Sequence, residues 1–253
     1  MLNIFKMDLR RLLHSKVFYV AIAFFAVMAI AMVQTGMGTS VSALLGVVDG
    51  GMGEDFMNAS MGTGVIFVFL GIILTRFICG DYAGGFAKNI FTSHADTKDY
   101  IGGRMLSMGL TSAFMLIFYT VLSLVVLSIS GYGVVLPGGV GGLLAFLIQK
   151  WVVSLAFIAL IMLVNLFTRN TAAGIIAGFL VATGGLSMGF VLFAQMINMD
   201  SLGRISDFLI SGVSQMATLT FSASTFFQIV AVSAVWLVAC YLGGRKVLKT
   251  KDV

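Results

Sequence analysis

The sequence predicts an all-α membrane protein that forms one transmembrane domain over residues 1–253, with six membrane-spanning helices. The chain is 59% hydrophobic and 10% charged, and its mean hydropathy is +1.07. A soluble domain could not bury that much apolar surface, so a lipid bilayer is the expected solvent. Long charge-free runs and a one-sided distribution of basic residues support the same class.

Six apolar runs approach the ~20 residues that a helix needs to cross a bilayer. The stretch from Met105 to Gln149 has no charge and is too long for one span. The glycine-rich segment from Gly131 to Gly139 therefore divides it into two. A short turn, Thr168–Thr171, precedes the fifth run. The predicted spans are 17–33, 62–79, 105–130, 142–167, 172–193 and 225–242.

Basic residues fix the expected orientation. Every lysine and arginine of the connecting segments falls on one side except Arg204, which lies among acidic residues on the other side. The positive-inside rule makes the basic side cytoplasmic and places both termini there, which agrees with an even number of spans. We expect a multi-pass protein of a bacterial plasma membrane. Because the basic residues are scattered beside apolar runs, the net charge of +5 does not indicate nucleic-acid binding.

Residues 1–16 predict an amphipathic elbow helix that lies in the inner headgroup layer before the first span. Lys6, Arg10 and Arg11 occupy the surface opposite the apolar stripe. The alternative is a basic flank that only fixes topology, and the length of the stripe favours the helix. The stripe consists of Leu2, Phe5, Leu9, Leu12 and Leu13.

Two outer segments separate spans. The segment 36–61 is rich in glycine and acidic, and it predicts a loop. The segment 194–224 is too polar for a span and too apolar for an open loop. It predicts short re-entrant or outer helices that could close the outer end of a pathway, or else a loop on the outer leaflet.

Two charges enter the predicted spans. Arg76 lies about one turn from the cytoplasmic end of its helix, where it can extend to lipid phosphates or pair with Asp81. Lys150 lies about two turns below the outer end of the fourth span. We expect it to reach the outer headgroups, with Trp151 as an interface anchor; the alternative is a polar cavity on a substrate route.

The fifth predicted span carries small residues at three- and four-residue spacing, which allows another helix to approach closely. The pattern fits a subunit interface or packing within the chain. Its members are Gly174, Gly178, Ala182, Gly185 and Gly189.

The usual groups for chemistry are absent from the predicted spans. Both histidines, His14 and His94, lie in cytoplasmic segments, and the single glutamate, Glu54, lies outside. The spans hold no carboxylate pair and no zinc or haem ligand set, so we expect no catalytic residue, no metal and no cofactor. No phosphate-binding loop of the Gly-x-x-x-x-Gly-Lys-Ser/Thr type occurs. The chain is therefore not expected to be an enzyme by itself.

The polar segment 80–104 between spans two and three carries a resemblance to a known family. It shows an acidic and an aromatic residue at the end of span two, then a glycine step, a basic–Asn pair, and a basic–aromatic–Gly–basic pattern leading into span three. With six spans and an elbow helix, this order resembles the type-2 ATP-binding-cassette (ABC) exporter permeases. The matching residues are Asp81-Tyr82, Gly84-Gly85, Lys88-Asn89, Lys98-Asp99-Tyr100 and Gly103-Arg104.

The resemblance implies a permease that pairs with an identical or homologous permease and binds two ABC ATPase subunits, which hold ATP and magnesium. Residues 84–92 would form a coupling helix seated in the ATPase, and spans one, two and five would line the route. The many phenylalanines and methionines suit a hydrophobic or amphipathic substrate, with peptide favoured over lipid or drug. A non-transport scaffold or sensor, or a secondary carrier, remains the alternative. The expected ATPase-contact residues are Gly85, Phe86, Ala87, Lys88, Asn89 and Ile90.

Overall fold

The computed structural model describes residues 2–34, 64–85, 97–129, 139–197, 204–219 and 221–250, and these are helical with short turns and no strand. The all-α prediction is thus confirmed over the described ranges. The helices are α1 (Leu2–Leu13), α2 (Lys16–Gln34), α3 (Val65–Ala83), α4 (Thr97–Ile129), α5 (Gly139–Thr168), α6 (Thr171–Ala182), α7 (Gly185–Met196), a 3-10 turn (Arg204–Phe208), α8 (Ile210–Met216) and α9 (Ala223–Thr250).

Four described helices, α3, α4, α5 and α9, are long and apolar enough to cross a membrane. Two bent pairs, α1 with α2 and α6 with α7, raise the number to six if each pair counts as one span. The hydrophobic runs become helices because a helix satisfies its own backbone hydrogen bonds in a medium without water. At 1.5 Å per residue, α4 is about 50 Å long, so it exceeds a hydrocarbon layer of about 30 Å.

Helix α5 is the centre of the bundle, packed against α3, α4, α6, α8 and α9. The ring of Phe157 stacks on that of Phe67 at 5.2 Å, which joins α5 to α3. Polar groups join α5 to α4: the Ser154 hydroxyl donates to the Ser112 hydroxyl at 2.9 Å, and the Trp151 indole donates to a backbone carbonyl of α4 at 2.9 Å. Trp151 is therefore engaged within the bundle.

Helix α1 meets α2 at a bend of 58° and packs against α4. The bend occurs at His14 and Ser15, where the Ser15 amide donates to the Leu12 carbonyl at 2.9 Å. The Tyr19 hydroxyl reaches back to the Leu13 carbonyl at 2.8 Å and fastens the corner. We call this corner between α1 and α2 the elbow; the position of α1 in the headgroup layer stays a prediction.

The fifth predicted span, 172–193, is not one straight helix. It is broken into α6 and α7, which meet at an angle of 62°. Gly184 adopts a φ of +77° at the break, a left-handed conformation that glycine adopts without strain. Thr183 ends α6, and the Ser187 hydroxyl donates to the Gly184 carbonyl at 2.8 Å, so the break has its own local hydrogen bonds.

The outer segment predicted at 194–224 contains helical pieces where the structure describes it. The 3-10 turn and α8 pack against each other, and α8 also contacts α5 and α9. Ile210 and Val213 of α8 are buried. The predicted loop at 36–61 lies outside the described residues.

Candidate functional site

The segment expected to contact an ATPase is described only at its start. Gly85 follows α3, is exposed, and has a φ of +67°, so the chain turns away from the helix axis there. The remaining expected contacts, Phe86, Ala87, Lys88, Asn89 and Ile90, lie outside the described residues. The structure does describe both ends of this segment, because α3 leads into it and α4 begins at Thr97.

Four charged side chains from three helices meet at the base of this segment, and we call them the base cluster: Asp8, Arg11, Asp81 and Arg104. Arg104 forms an ion pair with Asp81 through Nη2, and its Nε lies 3.0 Å from Oδ2 of Asp8. Arg11 donates from Nη1 to Oδ1 of Asp81 at 2.7 Å. The base cluster thus links α1, α3 and α4 in one chain of contacts.

Local sequence places each member of the base cluster. Asp8 and Arg11 are three residues apart on α1, so their side chains share a helix face. Asp81 lies in the last turn of α3, one turn after Phe77. The guanidinium groups of Arg11 and Arg104 lie 5.3 Å and 5.8 Å from the centre of the Phe77 ring. The ring therefore offers its electron-rich face to both cations.

Burial makes the base cluster depend on its own pairing. Asp8, Asp81 and Arg104 are fully buried, while the Arg11 side chain is 37% exposed. Removing one ion from water costs several kcal/mol, which opposite charges and hydrogen bonds must offset. Two acids and two bases give the group a formal charge of zero. Burial raises the pKa of the Asp8 carboxyl above its ordinary value, and the neighbouring Arg104 guanidinium opposes that rise.

Tyr100 adds a second link between the two ends of the polar segment. Its hydroxyl lies 3.5 Å from Oδ2 of Asp81 as a long hydrogen bond, and its ring lies 5.4 Å from the Arg104 guanidinium. Tyr100 is fully buried in the first turn of α4. The last turn of α3 and the first turns of α4 are therefore fastened to one another and to α1.

The short turn between α5 and α6 reaches the same end of α3. Arg169 lies in this turn with a φ of +51°, and its guanidinium stacks 4.5 Å above the ring of Tyr82. Asn170 caps α6 by accepting from the Ala172 amide at 2.8 Å. The α5–α6 turn thus contacts Tyr82, and the polar segment between α3 and α4 is held at Asp81; both segments lie on the predicted cytoplasmic side.

Arg76 does not pair with Asp81. Its side chain is exposed, while Asp81 is occupied by Arg11 and Arg104. Arg76 instead lines a cavity beside the elbow. Extension of Arg76 to lipid phosphates, the other expectation, stays a prediction.

Lys150 does not anchor the protein at the outer headgroups, contrary to the expectation. Its side chain is buried, and Nζ donates to the Ser214 backbone carbonyl at 2.6 Å and lies 3.3 Å from the Ser214 hydroxyl. The ammonium also lies 5.4 Å from the centre of the Phe146 ring. The physical reason is that α8 packs against this part of α5 and offers the Ser214 oxygen atoms within hydrogen-bond distance of the ammonium.

The predicted small-residue face divides between two helices. Gly174, Gly178 and Ala182 belong to α6, whereas Gly185 and Gly189 belong to α7 beyond the bend. A Cβ added to Gly174 would lie 1.9 Å from Oδ1 of Asn165, and one added to Gly189 would meet nothing within 4 Å. The close approach on α6 is packing within this chain, against α3 and α5.

Asn165 is a polar link between spans that the sequence did not indicate. Its Nδ2 donates to the Thr75 hydroxyl at 3.0 Å, and its Oδ1 accepts from Cys79 Sγ at 3.7 Å.

Sequence reasoning also missed the pairing of Asp8 with Arg104. The available signal was a single acid on an otherwise basic helix. The structure buries Asp8 one turn from Ile4 and Leu12, and a buried charge requires a partner.

The described residues contain no group of three or more His, Cys, Asp or Glu side chains that could hold a metal ion. Comparison with protein-family models and with curated proteins found no match to this sequence.

Proposed function

We propose that this chain is the membrane-spanning permease subunit of an ATP-driven exporter of the ABC class. It would act with two separate ATPase subunits and a second permease, identical or homologous. ATP and magnesium would be bound by the ATPase subunits, which would carry out hydrolysis. This chain would form the route for the substrate and change conformation in response. The observation that carries the proposal is the base cluster, which fastens both ends of the polar segment to the elbow helix.

The base cluster suits a segment that transmits a displacement from an ATPase subunit to the helices. A loop whose two ends are free would absorb a displacement by bending. Here Asp81 at the end of α3 and Arg104 at the start of α4 are joined directly, and both are joined to α1 through Arg11 and Asp8. A displacement of residues 86–96 by a closing ATPase pair would therefore move α1, α3 and α4 together, which is the movement that alternating access requires.

The proposed substrate is hydrophobic or amphipathic, with peptide favoured over lipid or drug. The helices of spans one and five, which would line the route together with span two, expose large apolar side chains such as Phe24, Phe179 and Phe190. Such a surface has few fixed charges and would accept varied apolar side chains. The 22 phenylalanines and 16 methionines of the chain are consistent with an adaptable surface of this kind.

The test is purification of the assembly from its source membranes in mild detergent, followed by an assay for magnesium-dependent ATP hydrolysis. Phe86→Asp and Ile90→Asp place a charge at the proposed apolar contacts, and each should remove the ATPase subunit and its hydrolysis from the purified assembly. The matched control is Thr250→Asp, which adds the same charge at an exposed residue at the end of α9. The control should retain both.

Two outcomes would overturn the proposal. One is an assembly without any nucleotide-hydrolysing subunit, which would favour a scaffold, a sensor or a secondary carrier. The other is labelling of Lys88→Cys by a membrane-impermeant maleimide in intact cells, since that would place the segment outside. A secondary carrier would in addition move substrate into proteoliposomes under an ion gradient without ATP.

A further inference from the structure

A cavity of about 470 Å³ lies in the angle between the elbow and α3. Its rim carries basic side chains from two parts of the fold: Arg11, His14 and Lys16 at the corner of α1 and α2, and Arg76 on α3. Among the described residues, no acidic side chain lines it. Neither the base cluster nor the proposed ATPase contact uses His14, Lys16 or Arg76.

The charges of this cavity are not cancelled locally. Arg11 is engaged by Asp81, but within the described part of the chain neither Lys16 nor Arg76 has an ion pair. Both side chains are exposed. Lys16 also begins α2, so the partial positive charge of that helix's N-terminus points at the same region. The rim of the cavity therefore carries positive charges that are close together and exposed at the protein surface.

The floor of the cavity is apolar. Ile73 and Phe77 are buried side chains of α3 that line it, together with Val17 at the start of α2. A basic rim above an apolar floor matches an amphiphile that carries a negative headgroup. A fully hydrated inorganic anion would contact only the basic rim, whereas the acyl end of an amphiphile would also contact the apolar floor.

The position along the helices gives the level in the membrane. Lys16 is the last charged residue before an uninterrupted apolar run, Val17 to Val33, so it marks the boundary between headgroups and hydrocarbon. Arg76 lines the same cavity as Lys16, so it lies at that level too. A phosphate placed between the two would lie where lipid phosphates lie.

We propose that this elbow cavity is a binding site for a phosphate group presented by an anionic phospholipid headgroup, held by Lys16 and Arg76 with the glycerol and first acyl carbons against Ile73 and Phe77. This site is separate from the proposed transport function and does not require an ATPase. Bound lipid would brace the angle between the elbow and α3.

The test uses the full chain in neutral detergent and two pairs of charge removals. Lys16→Gln with Arg76→Gln removes the rim charges. The matched control is Lys246→Gln with Lys249→Gln, which removes the same total charge from exposed residues near the end of α9. Each protein is titrated in mixed micelles with phosphatidylglycerol, with phosphatidylcholine and, separately, with inorganic phosphate. The readouts are the melting temperature and the apparent lipid affinity.

We expect phosphatidylglycerol to raise the melting temperature of the unaltered chain and of the control pair. The rim pair should bind it about thirtyfold more weakly, since each basic side chain near an anionic surface contributes about 1 kcal/mol. Lys16→Arg with Arg76→Lys keeps both charges and should restore binding, which separates loss of the site from faulty folding.

Phosphatidylcholine should give a smaller shift than phosphatidylglycerol, because its phosphate is neutralised by choline. If inorganic phosphate alone gave the full effect with the same dependence on the rim, the site would be for a soluble phosphate and the lipid assignment would be wrong. If the rim pair and the control pair responded equally, or if no anion shifted the melting temperature, the proposed site would be overturned altogether.

Discussion

Asp81→Asn is the substitution that most directly tests the base cluster. The change keeps the size of the side chain and removes one negative charge, so the formal charge of the cluster rises from zero to +1. Arg104 is fully buried and would keep only Asp8 as a counter-charge, with Nε 3.0 Å from Oδ2. Leaving a buried ion short of its partner typically costs about 3–5 kcal/mol.

The lower end of that range sets the expected size of the effect. A loss of ~3 kcal/mol corresponds to a fall in melting temperature of roughly 6–12 °C for a chain of this length, at about 2–4 °C per kcal/mol. The assay is thermal unfolding of the detergent-solubilised chain, followed by tryptophan fluorescence and by size-exclusion chromatography of heated samples. Asp207→Asn is the control, because it removes the same charge from an exposed side chain.

A double variant measures the coupling itself. Asp81→Asn with Arg104→Gln removes both charges of the buried pair and leaves Asp8 and Arg11 with a sum of zero. The double variant should be more stable than the sum of the two single effects predicts, by about 0.5–3 kcal/mol. If Asp81→Asn melted within 1–2 °C of the Asp207→Asn control, about what a surface change gives, the idea that this cluster fastens the three helices would be refuted.

Two further predictions concern the packing of α6 and α8. Gly174→Ala should destabilise the chain by about 1–3 kcal/mol, as overpacking does, because the added Cβ would lie 1.9 Å from Oδ1 of the buried Asn165. Gly178→Ala on the same helix is the control, because its Cβ would meet only ordinary contacts from 3.6 Å. Equal melting temperatures of the two variants would contradict this prediction. Lys150→Met should expose the backbone of α8, because the Ser214 carbonyl loses a donor at 2.6 Å. Hydrogen exchange in α8 should rise by about tenfold, the equivalent of ~1.4 kcal/mol, and unchanged exchange would refute the link.

The helices themselves were largely predictable, because a charge-free run in a bilayer has few alternatives to helix. The first predicted span, 17–33, corresponds to α2 at Lys16–Gln34. The second was predicted to end at Cys79, yet α3 continues to Ala83 and includes Asp81. The sequence suggested an end at Cys79 because a charge is costly in hydrocarbon. The helix continues because Arg11 and Arg104 neutralise that charge within the protein.

The break in the fifth predicted span was not predicted from the sequence. Glycines are common in transmembrane helices, and several occur between Thr171 and Met196. Only the backbone of Gly184, with a φ of +77°, distinguishes the glycine that turns the chain from those that allow close packing. Gly174 belongs to the second kind, because its neighbours are side chains of α3 and α5.

By itself, the sequence determined the all-helical class, the apolar runs and the placement of basic residues, because each follows from the free energy of single groups in water or lipid. Only the tertiary structure decided which charges meet. Asp8 and Arg104 are 96 residues apart, and no local pattern specifies that their helices cross. The sequence offered Lys150 the outer headgroups or a polar cavity, and the packing of α8 against α5 instead gave it a buried hydrogen bond to the Ser214 carbonyl. Pair energies depend on distances between helices, and those distances exist only once the bundle has packed.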